Sequence, residues 1–126
     1  MVVTLEDGSE QYVTGGGIAV TRSKAPTPYA GAIETYVDAL NSRRGAVFSS
    51  NYEYPGRYTR WDTAIANPPV VITARGRDVV IEALNERGEI ILPWIEASLR
   101  ATADVTVTDV SPKLLSVTVD EPTRAF

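Results

Sequence analysis

Val70-Val71-Ile72-Thr73-Ala74-Arg75-Gly76-Arg77-Asp78-Val79-Val80-Ile81-Glu82-Ala83-Leu84 is the stretch on which the fold turns. Two β-rich runs, 70–74 and 79–84, flank Arg75-Gly76-Arg77-Asp78, which reads as a hairpin connection. Strands joined by so short a turn pair antiparallel. The pattern recurs on both sides. Residues 105–108 and 114–119 read as a final hairpin through Ser111-Pro112-Lys113. Upstream, 46–50 reads as a strand ending in the hydroxyls of Ser49 and Ser50, and 59–65 as its neighbour beyond the Pro55-Gly56 turn. Asn67-Pro68-Pro69 breaks the chain before the central hairpin. Asn85-Glu86-Arg87-Gly88-Glu89 turns it into a short run, Ile90-Ile91-Leu92.

Helical periodicity appears in two places. Tyr29, Ala32, Ile33, Tyr36, Val37 and Leu40 fall at i, i+3, i+4, i+7, i+8 and i+11, one apolar stripe. Thr27 is the candidate N-cap, Pro28 the first helical residue and Gly45 the left-handed stop after Arg43-Arg44, so a long helix over about 28–44 is expected. A short second helix starts at Pro93 and carries Trp94, Ile95 and Leu99 on one side. Residues 1–14 read as a flexible arm with a turn at Asp7-Gly8. Gly15-Gly16-Gly17 reads as a hinge, because it lacks the Gly-Lys-Ser/Thr ending of a phosphate-binding loop. The expected fold class is α+β, a mostly antiparallel sheet with helices on one face.

Composition narrows the function. The 126 residues suit one domain and contain neither Cys nor His, which removes disulfides, thiol nucleophiles and histidine-based triads. Sixteen acids against twelve bases give a net charge of -4, contrary to the basic footprint of a nucleic-acid binder. No apolar run approaches the ~20 residues of a membrane span, so no membrane partner is expected and the chain reads as cytoplasmic. Charge is uneven, however. Between Arg43 and Arg77 six arginines meet only Glu53 and Asp62, a local net of +4, while the remainder holds six bases and fourteen acids. Such a field recruits small anions; its ordinary reading is a set of solvated strand faces.

Polar functional groups are densest in Ser49-Ser50-Asn51-Tyr52-Glu53-Tyr54-Pro55-Gly56-Arg57-Tyr58-Thr59-Arg60-Trp61-Asp62. Serines at a strand end offer hydroxyls to a ligand, Arg57 and Arg60 suit bidentate carboxylate binding, and the aromatics suit an apolar ring. A polar loop flanked by core aromatics explains the same composition. Catalysis has little support: Glu53 and Asp62 stand as lone carboxylates, and no histidine activates either serine.

Gly16-Gly17-Ile18-Ala19-Val20-Thr21-Arg22, the run from Ala32 to Leu40, Ser42-Arg43-Arg44-Gly45-Ala46-Val47 and the 14-residue block 49–62 together resemble the N-terminal region of anthranilate synthase component I. The form resembled is the bacterial one fused to its glutamine amidotransferase. Asn67-Pro68-Pro69, the run from Ile81 to Glu89, and Glu121-Pro122-Thr123-Arg124-Ala125-Phe126 extend the likeness in one register from about Thr14 to Phe126.

The resemblance implies an enzyme that converts chorismate and ammonia, drawn from glutamine, into anthranilate and pyruvate with Mg²⁺. It places the chorismate, metal and glutaminase residues beyond this stretch. Residues 15–126 are then expected to be the tryptophan-regulatory domain, a truncated part of a larger α/β sandwich with no cofactor of its own. The implied feedback site begins at a Leu-Leu-Glu-Ser type strand end, onto which Val47-Phe48-Ser49-Ser50 maps. Ser50 matches the family serine, and Ser49 stands where the glutamate would be. With Ser49 neutral, Glu53 is left to meet the ligand ammonium, and Arg57 or Arg60 its carboxylate. The expected partners are L-tryptophan, the catalytic half and the amidotransferase. Trp94, Ile95 and Leu99 lack an obvious local partner, so marginal stability or a homodimer is also expected. The competing readings are a purely structural segment of the synthase, and the equivalent region of a chorismate-utilising enzyme of a phenazine or salicylate-type pathway.

Overall fold

The computed structural model describes residues 1–50, 55–56 and 61–121. Glu53, Arg57 and Arg60 lie outside the described residues. The chain divides into two compact units, 1–25 with 69–126, and 26–68. The fold class is the expected one, α+β with antiparallel strand pairing throughout the described sheets.

In the first unit, β1 (Val2–Thr4), β2 (Glu10–Val13) and β3 (Ala19–Arg22) form a three-stranded meander. The stretch expected to be a flexible arm is therefore paired strand. Asp7 explains the first turn: its Oδ1 accepts hydrogen bonds from the Ser9 amide at 2.9 Å and the Ser9 hydroxyl at 2.6 Å. These two bonds, the hydroxyl's first, hold the Asp7 carboxyl below the usual aspartate range. The three glycines form the next hairpin loop rather than a hinge. The Thr14 amide donates to the Ile18 carbonyl, and the Thr14 hydroxyl accepts from the Ile18 amide.

In the second unit, α1 (Ala32–Ala39) precedes β4 (Gly45–Phe48) and β5 (Thr63–Ala66). The helix is half the expected length. Gly31, at φ 78°, is left-handed and stops helix from running back to Pro28. Gly45 is not a left-handed stop but the first residue of β4. A Cβ there would come within 2.1 Å of the Ile65 carbonyl oxygen, so glycine permits the pairing.

The first unit continues with β6 (Val70–Arg75), β7 (Asp78–Ala83), α2 (Glu86–Arg100), β8 (Val105–Val110) and β9 (Leu114–Val119). The four strands lie in the order β6-β7-β9-β8. The β6–β7 hairpin is the one expected, with Arg75 opposite Asp78 across Gly76-Arg77. The helix α2 corrects two expectations, because Ile90-Ile91-Leu92 is helical rather than strand and Pro93 lies inside the helix rather than at its start. Asn85 is the true cap: its Oδ1 accepts from the Gly88 amide at 3.2 Å.

Burial along α2 falls at Gly88, Ile91, Leu92, Ile95 and Leu99, a continuous helical stripe. It covers Ile81, Ala83, Leu115 and Val117 on the sheet, and Ile95 and Leu99 thus find the local partners they were expected to lack. Trp94 is 44% exposed and its ring lies against the Gly17 loop, where a Cβ would meet the indole at 2.9 Å.

Gly88 is the tightest point of this packing, since a Cβ would meet the Pro69 carbonyl oxygen at 2.1 Å and Ala83 at 3.0 Å. Gly88→Ala is therefore expected to cost about 1–3 kcal/mol or more in a urea melt, while Gly15→Ala, whose Cβ meets nothing, changes the midpoint little. Acid should act on the first turn. The depressed Asp7 carboxyl contributes fully above its ordinary value, about pH 4, and its contribution is lost as pH falls through the lower folded value. The expected readout is loss of Ser9 amide protection in hydrogen exchange only below about pH 4.

Candidate functional site

The strand ends of the 26–68 unit bring together residues far apart in sequence. Antiparallel pairing sets Phe48 opposite Thr63 as the last β4–β5 pair, so Ser49 and Asp62 meet just beyond it. The Ser49 hydroxyl donates to Asp62 Oδ1 at 2.5 Å. From the chain leading into α1, the Tyr29 hydroxyl donates to Asp62 Oδ2 at 2.5 Å. Asp62 accepts a hydrogen bond on each carboxylate oxygen. Asp62 thus ties the end of β4, the start of β5 and the approach to α1.

Beside this knot lies a cleft of about 310 Å³ between α1 and β5, lined by Tyr29, Ala32, Ile33, Tyr36, Asp62 and Ala64. Thr27 and Pro28 complete the lining, so its polar groups are the Asp62 carboxylate and the hydroxyls of Thr27 and the two tyrosines. The stripe read as a core face is only partly one. Ala32 and Ile33 are half-buried, whereas Tyr29 is 63% and Val37 49% exposed. Ser50 follows Ser49, exposed at the same strand end.

Of the site residues expected from sequence, Ser49 and Ser50 stand together where β4 ends, and Glu53, Arg57 and Arg60 lie outside the described residues. Asp62, which the structure brings to Ser49, was not among the residues expected at the site. On sequence alone it is a lone carboxylate, and the signal that marks it is strand register: thirteen positions separate it from Ser49, yet the Phe48–Thr63 pair sets the two side by side at the strand ends. The Mg²⁺ that the resemblance implies for the parent enzyme finds no fitting donor set here, because among the described residues no three carboxylates converge.

In the first unit, a groove of about 410 Å³ runs between α2 and the β8–β9 turn, past Glu89, Leu92, Pro93, Glu96, Val110 and Pro112. Its two carboxylates already face cations: Glu89 pairs with Lys113 at 3.6 Å and Glu96 with Arg100 at 2.8 Å. No helix among the described residues is long and apolar enough to cross a membrane.

A small antiparallel α+β chain, with hydroxyls and a fixed carboxylate at one strand end above an apolar cleft, has the layout of a site for a small polar-headed ligand. The chain is 36% identical over 112 residues to an anthranilate synthase of Azospirillum brasilense, and the alignment takes in 89% of this chain. It is homologous to a segment of that protein, of whose length it spans 15%. No family model matches the chain, and no solved structure does either.

The knot makes a thermodynamic prediction. Tyr29→Phe and Ser49→Ala are each expected to cost about 0.5–1.5 kcal/mol by removing one hydrogen bond. In an Asp62→Asn background each should cost markedly less, because the shared charged acceptor has gone. Urea melts of the double-mutant cycle check this; full additivity would show that the bonds do not act through Asp62.

Proposed function

We propose that this chain is the tryptophan-regulatory part of an anthranilate synthase, which makes anthranilate and pyruvate from chorismate and glutamine-derived ammonia. The observation that carries the reading is the Ser49-Ser50 pair at the end of β4, at the strand position the resemblance assigns to the feedback inhibitor. Ser50 donates a hydrogen bond to L-tryptophan, with Ser49 beside it and Arg57 or Arg60 at the ligand carboxylate. Binding acts by differential affinity: a ligand held by both strand ends and the approach to α1 favours whichever arrangement of those elements it fits best. The chorismate and amidotransferase chemistry belongs to other parts of such an enzyme, which are this chain's partners, and the Mg²⁺ acts there too.

Calorimetry with L-tryptophan on the 126-residue chain tests the reading. Saturable binding is expected, weakened in Ser50→Ala by about 1.5–3 kcal/mol, or roughly ten- to a hundred-fold. Unchanged affinity in that variant makes Ser50 a structural hydroxyl. The purified chain is expected to form no anthranilate from chorismate with either ammonia or glutamine, because it has no histidine or cysteine to serve as base or glutaminase nucleophile.

A second reading, a purely structural segment that packs against the rest of a synthase, is favoured by the apolar side chains left in water. Ile90 is 65%, Ile72 62%, Phe48 62% and Trp61 77% exposed. On this reading the chain self-associates or melts at low urea and ignores tryptophan. Sedimentation beside the calorimetry separates the two.

A further inference from the structure

A sheet edge is a row of unpaired donors and acceptors whose complement is another strand. The two edges of the four-stranded sheet, β6 and β8, differ. On β8 the register shifts between Val107 and Asp109, and the strand carries the Asp109 charge. Bulge and charge both discourage further pairing. β6 has neither protection: it pairs with β7 without a shift, and its residues are β-branched or small up to Arg75. The ladder shows which of its groups point outward. The Leu84 amide donates to the Pro69 carbonyl, so those two residues form a hydrogen-bonded pair. By alternation Val71–Glu82, Thr73–Val80 and Arg75–Asp78 are the others. Val70, Ile72 and Ala74 therefore aim their N–H and C=O groups away from β7. The Ala83 amide has the same phase, since it donates to the Lys113 carbonyl and not to Val70. Among the described residues no strand pairs with this side of β6.

We propose that β6 is a dimerisation edge, which pairs antiparallel with β6 of a second copy of this chain about Ile72. In that register Ile72 faces its own copy and Val70 faces Ala74, so every outward-pointing group finds a partner. Centring on Val71 or Thr73 would instead bring together groups already bonded to β7. The side chains suit the same register. Ile72 is paired with the core residue Ile81 and shares its face, yet it is exposed, because α2 packs on β7, β8 and β9. Dimerisation sets the two isoleucines opposite each other and extends the core face across the new pair. On the other face Val71 meets Thr73 of the second copy. Arg75 is the one charge of the strand, and it comes opposite Pro69, so no like charges meet. One short strand pair buries less than the ~1,600 Å² of a standard interface, so the dimer forms reversibly with concentration. The proposal rests on the self-association of the structural reading above, to which it gives a surface, and not on tryptophan.

The test is sedimentation velocity with amide hydrogen exchange on the 126-residue chain at rising concentration. A monomer–dimer equilibrium is expected, with protection of the Ile72 and Ala74 amides rising with the dimer fraction. The Thr73 amide, bonded to β7, stays protected at every concentration. Ile72→Lys sets like charges directly opposite each other and should abolish the dimer, while Val110→Lys on the β8 edge leaves it intact. A dimer whose Ile72 and Ala74 amides stay unprotected overturns the edge pairing but not self-association. So does a dimer that survives Ile72→Lys or is lost in Val110→Lys. A monomer at every concentration overturns both. If circular dichroism shows either variant to be unfolded, the exchange pattern of the unmodified chain decides.

Discussion

The first unit depends on the contact of a helix with a carbonyl group. Where α2 begins, its backbone at Gly88 lies so close to the Pro69 carbonyl oxygen that no side chain fits between them. The same carbonyl accepts a hydrogen bond from the Leu84 amide at 2.9 Å, where β7 leads into the helix. The first turn is therefore tied to the end of the sheet, and the rest of the stripe follows along β7 and β9. Leu92, Ile81, Leu115 and Val117 become a shared core only because that first turn lies so close. A core this small leaves little reserve, since one buried aliphatic side chain is worth about 1.5–3 kcal/mol against a typical net stability of about 5–15.

The 26–68 unit is built differently. Its helix α1 has no fully buried residue, and its strand pair is four residues long on each side. Among its described residues none is fully buried, so polar ties carry more of the order there. Gly45 permits the close β4–β5 approach, register sets Ser49 against Asp62, and Tyr29 brings the approach to α1 onto the same carboxylate. A ligand bridging those groups would add order to elements that share no fully buried residue among those described. That is the physical argument behind the proposed regulatory role: sensitivity arises where the intrinsic stability is low.

The central hairpin was readable in the sequence because alternation, β-branched residues and the Gly76 turn all agree. The helix α2 was not, because Gly88 and Pro93 both look like breakers. Gly88 is there for close approach, and Pro93 sits on the exposed side of the helix, opposite the stripe. The first helix was overextended because Tyr29 fits the period of the stripe, although Gly31 in its left-handed conformation keeps that residue outside the helix. Asp7 and Ser9 turned an apparent arm into a hairpin through side-chain to backbone bonds that no periodicity reveals. For the candidate site, the place of the two hydroxyls at the end of β4 was readable from the sequence, whereas the Ser49–Asp62 contact required the strand register.

The most direct test of the central claim is amide NMR of the ¹⁵N-labelled 126-residue chain during titration with L-tryptophan. The account expects saturable shifts concentrated at Ser49, Ser50, Asp62 and the residues around Tyr29, with α2 and the four-stranded sheet nearly unmoved. Shifts confined to the α2 groove, or none at saturating ligand, would contradict it.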